Sequence, residues 1–241
     1  MDSLKLPVKL KSVLDAFIDR LKNCYGDGLI SAILYGSASS GEFSDKYSNL
    51  NIMIVLDDTG LKNLSKIRPI INSPKFGMIT PIFFTEEFIK NSLDVFPIEF
   101  LDIKENYLVL HGKDVISGLV TDAKNLRFQC EHELKSKLIN VRKGYIDIGN
   151  QAELERLLFR TFTSAIHIMR NLLRLKGINP PYPKEAVLSE SEKVFGIDTT
   201  VLREILWAKN KKMRLSRNDA DALLAALVKE LEILSAAVDK L

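Results

Sequence analysis

Cysteine, tryptophan and proline are scarce in this chain, and neither sign of charge dominates it. Cys24 and Cys130 are the two cysteines of 241 residues. They lie far apart, too few for a disulfide framework, so a reducing, cytoplasmic setting is the expectation. With Gly 12 and Pro 8 spread along the chain, a collagen-like or low-complexity protein is excluded. Lys+Arg 34 against Asp+Glu 31 leaves a formal net charge of +3. A general nucleic-acid coat needs a far more one-sided excess. Apolar runs are short. Ile52 to Leu56 is typical, whereas a bilayer-spanning helix needs about 20 apolar residues. Met1 to Lys11 alternates charged with apolar residues and lacks a signal-peptide core. No membrane partner is expected.

What remains is ordinary folded-protein composition, 46% apolar and 27% charged. The length allows one large domain or two modest ones. Residues 1–120 read as mixed α/β. Val8, Leu10, Val13, Leu14, Phe17, Ile18 and Leu21 recur at helical spacing. Leu29 to Tyr35, Leu50 to Leu56 and Met78 to Phe84 read as strands, the last with Pro81 marking an edge or bulge. Pro97 to Ile103 reads as a fourth strand, Tyr107 to Leu110 as a short fifth, and Leu61 to Ile71 as a helix. Residues 121–241 are dominated by helix signals. Leu126, Cys130, Leu134, Leu138, Val141 and Tyr145 form one stripe, Leu154 to Leu173 a second, and further helices fall near 199–209 and 217–239. The expected fold class is an α/β (α+β) mixed-sheet domain followed by an all-α helical bundle.

One segment carries chemistry. The strand ending at Tyr35 runs into Gly36-Ser37, and Ser48-Asn49-Leu50-Asn51 opens the next strand. Gly36 has no Cβ, so backbone N–H groups there can approach a ligand closely. Ser37 adds a hydroxyl, and a helix starting there would face an anion such as phosphate. Asn49 and Asn51 are two apart on a strand, so both side chains leave the same face. A pair of carboxylates so placed would jointly hold a divalent metal.

This segment resembles the nucleotidyltransferase superfamily, the polymerase-beta-like fold that includes aminoglycoside nucleotidyltransferases. Tyr35, Gly36 and Ser37 match the first part of the family pattern, and Gly41-Glu42 and Ser48 match positions within it. The two metal-binding positions depart from it: Asn49 and Asn51 stand where the family has acids. The resemblance implies transfer of a nucleoside monophosphate from a nucleoside triphosphate such as ATP to an acceptor hydroxyl, with release of pyrophosphate. It implies Mg²⁺ held at positions 49 and 51 and by a third acid on a later strand, and phosphate held by Gly36, Ser37 and Ser48. Glu99 is the favoured third acid and potential base, because Ile98 and Phe100 then occupy the opposite strand face; Asp102 is the alternative.

The two asparagines weaken that scheme. A divalent ion about 4 Å from a carboxylate gains roughly 8 kcal/mol of gross Coulomb energy at an effective dielectric of about 20. A neutral amide oxygen supplies only part of this, and Mg²⁺ prefers anionic oxygens. The expected function is therefore that of a nucleotidyltransferase-like protein with impaired transfer. The alternative is a non-catalytic nucleotide-binding or interaction module, a toxin–antitoxin-like partner or a homodimer through Leu223, Leu224, Leu227, Leu231, Leu234 and Val238. A third reading moves the metal ligands to Glu42, Asp45 or Asp102.

Other residues read as structural. His111, His132 and His167 show no ligand spacing, and His167 falls in an apolar helix stripe. Lys209, Lys211, Lys212, Arg214 and Arg217 surround an inter-helix loop and read as a solvated cluster, with an acidic acceptor or a triphosphate as the functional alternative. Trp207 reads as bundle packing, with stacking on a base as its functional alternative.

Overall fold

The structure is a computed structural model, and it describes residues 7–40, 49–181 and 183–241. The chain divides into two compact units, Met1–Thr121 and Asp122–Leu241.

The first unit opens with α1, Val8–Tyr25, whose buried Leu10, Leu14, Phe17, Ile18 and Leu21 recur every three or four residues. β1 is Leu29–Tyr35, followed by a single helical turn, α2, Ser37–Ser40. β2 is Leu50–Leu56. The expected helix over 61–71 is broken into α3, Leu61–Leu64, a 3₁₀ turn at Ser65–Ile67 and α4, Arg68–Ile71. Pro69 accounts for the break, since it lacks an N–H and is tolerated only in the first turn of a helix. β3 is Ile79–Phe84, and α5 is Glu86–Asn91, capped by the Thr85 hydroxyl at 3.0 Å from the Phe88 N–H.

Pro97–Glu105 is a helix, α6, and not the expected strand. Pro97 sits at its start, where a missing N–H removes no helical hydrogen bond. Its apolar residues suit both periods: Ile98 and Phe100 alternate like a strand, yet Pro97, Phe100 and Ile103 are also one helical face. Tertiary packing selects the helix. β4, Tyr107–Gly112, follows.

The four strands form one mixed sheet in the order β3-β2-β1-β4. β1 is antiparallel to both β2 and β4, while β2 and β3 are parallel. Pro81 thus lies on an edge strand, where a missing ladder donor is tolerated. Both faces of the sheet are covered. On one, Leu34, Ile52 and Ile54 pack with Leu14, Phe17 and Leu21 of α1. On the other, Ile33, Met53 and Val55 pack with Ile89 of α5 and with Phe100 and Ile103 of α6. Gly112, at φ +77, is required in β4: a Cβ there would lie 2.0 Å from the Ile30 carbonyl oxygen.

The second unit contains α7, Ala123–Ile146; α8, Gln151–Leu175; α9, Lys184–Phe195; α10, Thr200–Lys211; and α11, Arg217–Val238. Side chains of Asp122, Asn150 and Ser216 cap α7, α8 and α11. Leu134 of α7, Phe162 and Met169 of α8, and Leu227 and Leu231 of α11 are fully buried. Leu223, Leu224, Leu234 and Val238 are buried as well. The apolar stripe considered for dimerisation is thus inside its own bundle and unavailable to a partner. α9 escapes the sequence reading because only Val187, Leu188 and Ser191 of its residues are buried.

Candidate functional site at the end of the sheet

β1 ends in a pinned turn. Gly36 adopts φ +78, a conformation that favours glycine. Its N–H donates to the Asn106 carbonyl at 3.0 Å, just before β4 begins. The Ser39 hydroxyl lies 2.8 Å from the Gly36 carbonyl and 2.6 Å from that of Asn106. The Gly36 N–H is therefore engaged in the fold. What Gly36 does supply is space. A Cβ at this position would stand 3.3 Å from Nδ2 of Asn51. The turn and the second asparagine of the motif are thus brought together.

Asn49 is exposed immediately before β2, and Asn51 is half-buried within it. Ser37 begins α2. Ser48 lies outside the described residues, as do Glu42 and Asp45. Asn51 pairs with Tyr35 on β1 and with Thr80 on β3, and Tyr35 pairs in turn with Tyr107 on β4. Paired residues of neighbouring strands share a face. Thr80, Asn51, Tyr35 and Tyr107 therefore form one polar row across the sheet, just beyond the apolar row of Ile82, Met53, Ile33 and Val109. Glu99 is exposed in the first turn of α6, on a helix rather than a strand. Glu99 and Asp102, three apart on that helix, lie on neighbouring positions of one surface, which strand spacing would forbid.

The row is electrically neutral. Burial pushes the Tyr35 phenol above its usual range. Burial, and then a hydrogen bond to Asp114, do the same for Tyr107, whose hydroxyl donates to Asp114 at 2.8 Å. Burial alone would raise the Asp114 carboxyl, but N–H groups of Ser117 and Ile116 and the Tyr107 hydroxyl bring it below the usual carboxylate range. Among the described residues, no three His, Cys, Asp or Glu side chains form a group able to hold a metal ion. Asn49, Asn51 and Thr80 offer neutral oxygens only. That donor set does not fit magnesium, which requires anionic ligands or substrate phosphates in its shell.

The helical unit holds charged cavities that sequence reading missed. One, of about 590 Å³, is lined by Arg156, Phe159 and Arg160 of α8 and by Lys209 of α10. Lys209 is no solvated loop residue. Its ammonium donates to the Thr163 hydroxyl, and burial, then the charge of Lys184, lower its pKa. A second, of about 460 Å³, brings His132 and Lys137 of α7 together with His167 of α8, and the two cavities share Thr163 and Ser164. His167 is thus a cavity wall rather than core. Trp207 is 54% exposed, not packed inside the bundle. The available signal was a polar stripe on α8 (Arg156, Arg160, Thr163, His167) opposite its apolar one.

No protein-family profile matches the chain, and no curated protein sequence does. Solved structures do match. A crystal structure of spectinomycin adenyltransferase AAD(9) from Enterococcus faecialis, with ATP and spectinomycin, superposes at a TM-score of 0.58. The match covers 92% of this chain and 99% of that one, at 12% identity. The fold is nucleotidyltransferase-like. The likeness spans both the mixed-sheet domain and the helical part that follows it. Among the described residues, no helix is long and apolar enough to cross a membrane.

Proposed function

We propose that the chain binds a nucleoside triphosphate, with ATP as the first probe, at the sheet end formed by Gly36 and Asn51. In this reading, transfer of the nucleoside monophosphate to an acceptor hydroxyl is impaired. The observation that carries the proposal is the meeting of Gly36 with Asn51 in a fold resembling, over nearly its whole length, an adenyltransferase crystallised with ATP. The impairment follows from chemistry. Neutral groups at positions 49 and 51 do not gather the positive charge that phosphoryl transfer draws on in this fold. Ser37 and Ser48 complete the proposed phosphate contacts, and the acceptor is a hydroxyl-bearing molecule.

Calorimetric titration of the full chain with ATP, with and without Mg²⁺, tests the binding. Saturable heat in at least one condition is expected. Gly36→Val should abolish it, because its side chain would both strain the backbone and displace the Asn51 amide. Pyrophosphate release should stay at background, and rapid release by the unmodified chain would defeat the impaired-transfer reading.

A further inference from the structure

We infer that the sheet-end site holds the phosphate of its nucleotide directly through neutral donors, without a divalent cation, and that Thr80 occupies the third of three positions at which an acid has no counterpart here. This rests on the nucleotide reading above and adds its ionic form. The register supplies the third position. A metal shared between strands needs side chains on one face of neighbouring strands, and the β3 residue paired with Asn51 is Thr80. Glu99, on α6, is not on the sheet.

The exchange of acid for amide or hydroxyl does more than remove a cation's anchors. A carboxylate accepts hydrogen bonds and repels phosphate, so an acid-lined site tolerates a triphosphate only with metal between them. An asparagine carries two N–H donors and a threonine one O–H donor. Asn49, Asn51 and Thr80 therefore turn the same surface from one that needs a cation into one that can donate to phosphate oxygens. Tyr35, paired with Asn51, adds a phenol and no negative charge, while the Tyr107 phenol at the end of the row donates to the Asp114 carboxylate. The Asn51 amide nitrogen faces the space that Gly36 leaves open. Mg²⁺ has no carboxylate to bridge to in this row. Its chelation of ATP would compete with these donors for the phosphate oxygens.

The test compares ATP titrations of the full chain in EDTA and in Mg²⁺. Affinity in EDTA should equal or exceed that in Mg²⁺. Binding at least about tenfold tighter with Mg²⁺ would overturn the inference while leaving the nucleotide reading intact. Binding in neither condition would overturn both. Electron paramagnetic resonance of Mn²⁺ supplies a second, activity-free readout. The unmodified chain should bind no stoichiometric Mn²⁺; if it does, through Glu42 or Asp45 for example, the inference fails. The N49D/N51D/T80D variant should gain a Mn²⁺ site and make ATP binding metal-dependent, whereas N49D/N51D should gain much less. Equal gain by the double variant, or none by a triple variant whose circular dichroism shows it folded, would remove Thr80 from the third position.

Discussion

The two units place their polar groups by opposite rules. In the sheet unit, the row Thr80, Asn51, Tyr35 and Tyr107 crosses all four strands without a charged side chain. In the helical unit, Arg156, Arg160 and Lys209 share one cavity, and His132, Lys137 and His167 line the next. Neutral groups cost less than charges beside an apolar core, and these four are half-buried or exposed. Long cationic side chains on helices keep their heads near water while their stems cover apolar surface. The difference shows that amides and hydroxyls are accommodated at the sheet end without charge.

Matched substitutions sharpen this contrast. Phe162→Ala in the helical core and Met53→Ala in the sheet core, both at fully buried positions, give the largest effects. About 3–5 and 2–5 kcal/mol are expected from cavity formation. Urea unfolding checks both. The exposed Trp207 reports the helical unit by fluorescence, and Phe162→Ala should shift its transition directly. The next effect comes from capping. Thr85→Ala and Ser216→Ala each remove a side-chain acceptor from a helix N-terminus, at about 1 kcal/mol apiece, read from thermal melts. The smallest effect leaves stability alone. Burial pushes the Cys130 thiol up to about 12, with Glu133 adding to it, whereas Cys24 is half-buried and raised less far. A thiol reagent near pH 8 should label Cys24 first and Cys130 only on unfolding, as mass spectrometry of the labelled peptides would show. Simultaneous labelling would mean that the helical core opens as readily as the sheet unit's first helix.

Much of this was legible in the residues. LISAILY and LNIMIVL announce their strands by apolar content, whereas the approach of Gly36 to Asn51 comes from their antiparallel register. Thr80 was not legible, because parallel pairing between β2 and β3 sets a register that no local pattern encodes. The strand reading of 97–103 failed because Ile98 and Phe100 satisfy two periods at once, and only the apolar surface beneath α6 decides between them. The helical cavities were hidden for another reason. Polar residues spaced along α7 and α8 look like solvated faces until two helices bring them to a common wall. His132 and His167 lie on successive helices, α7 and α8, so no local spacing rule could join them.

Pro81 has a bearing on the molecule's behaviour in crowded solution. It sits within β3, which pairs with β2 on one side and, among the described residues, with no strand on the other. A margin missing one amide hydrogen is a poor template for a stray strand from another molecule. The same imino acid that makes this segment an unpromising strand on paper thus guards the protein against sticking to itself edge to edge.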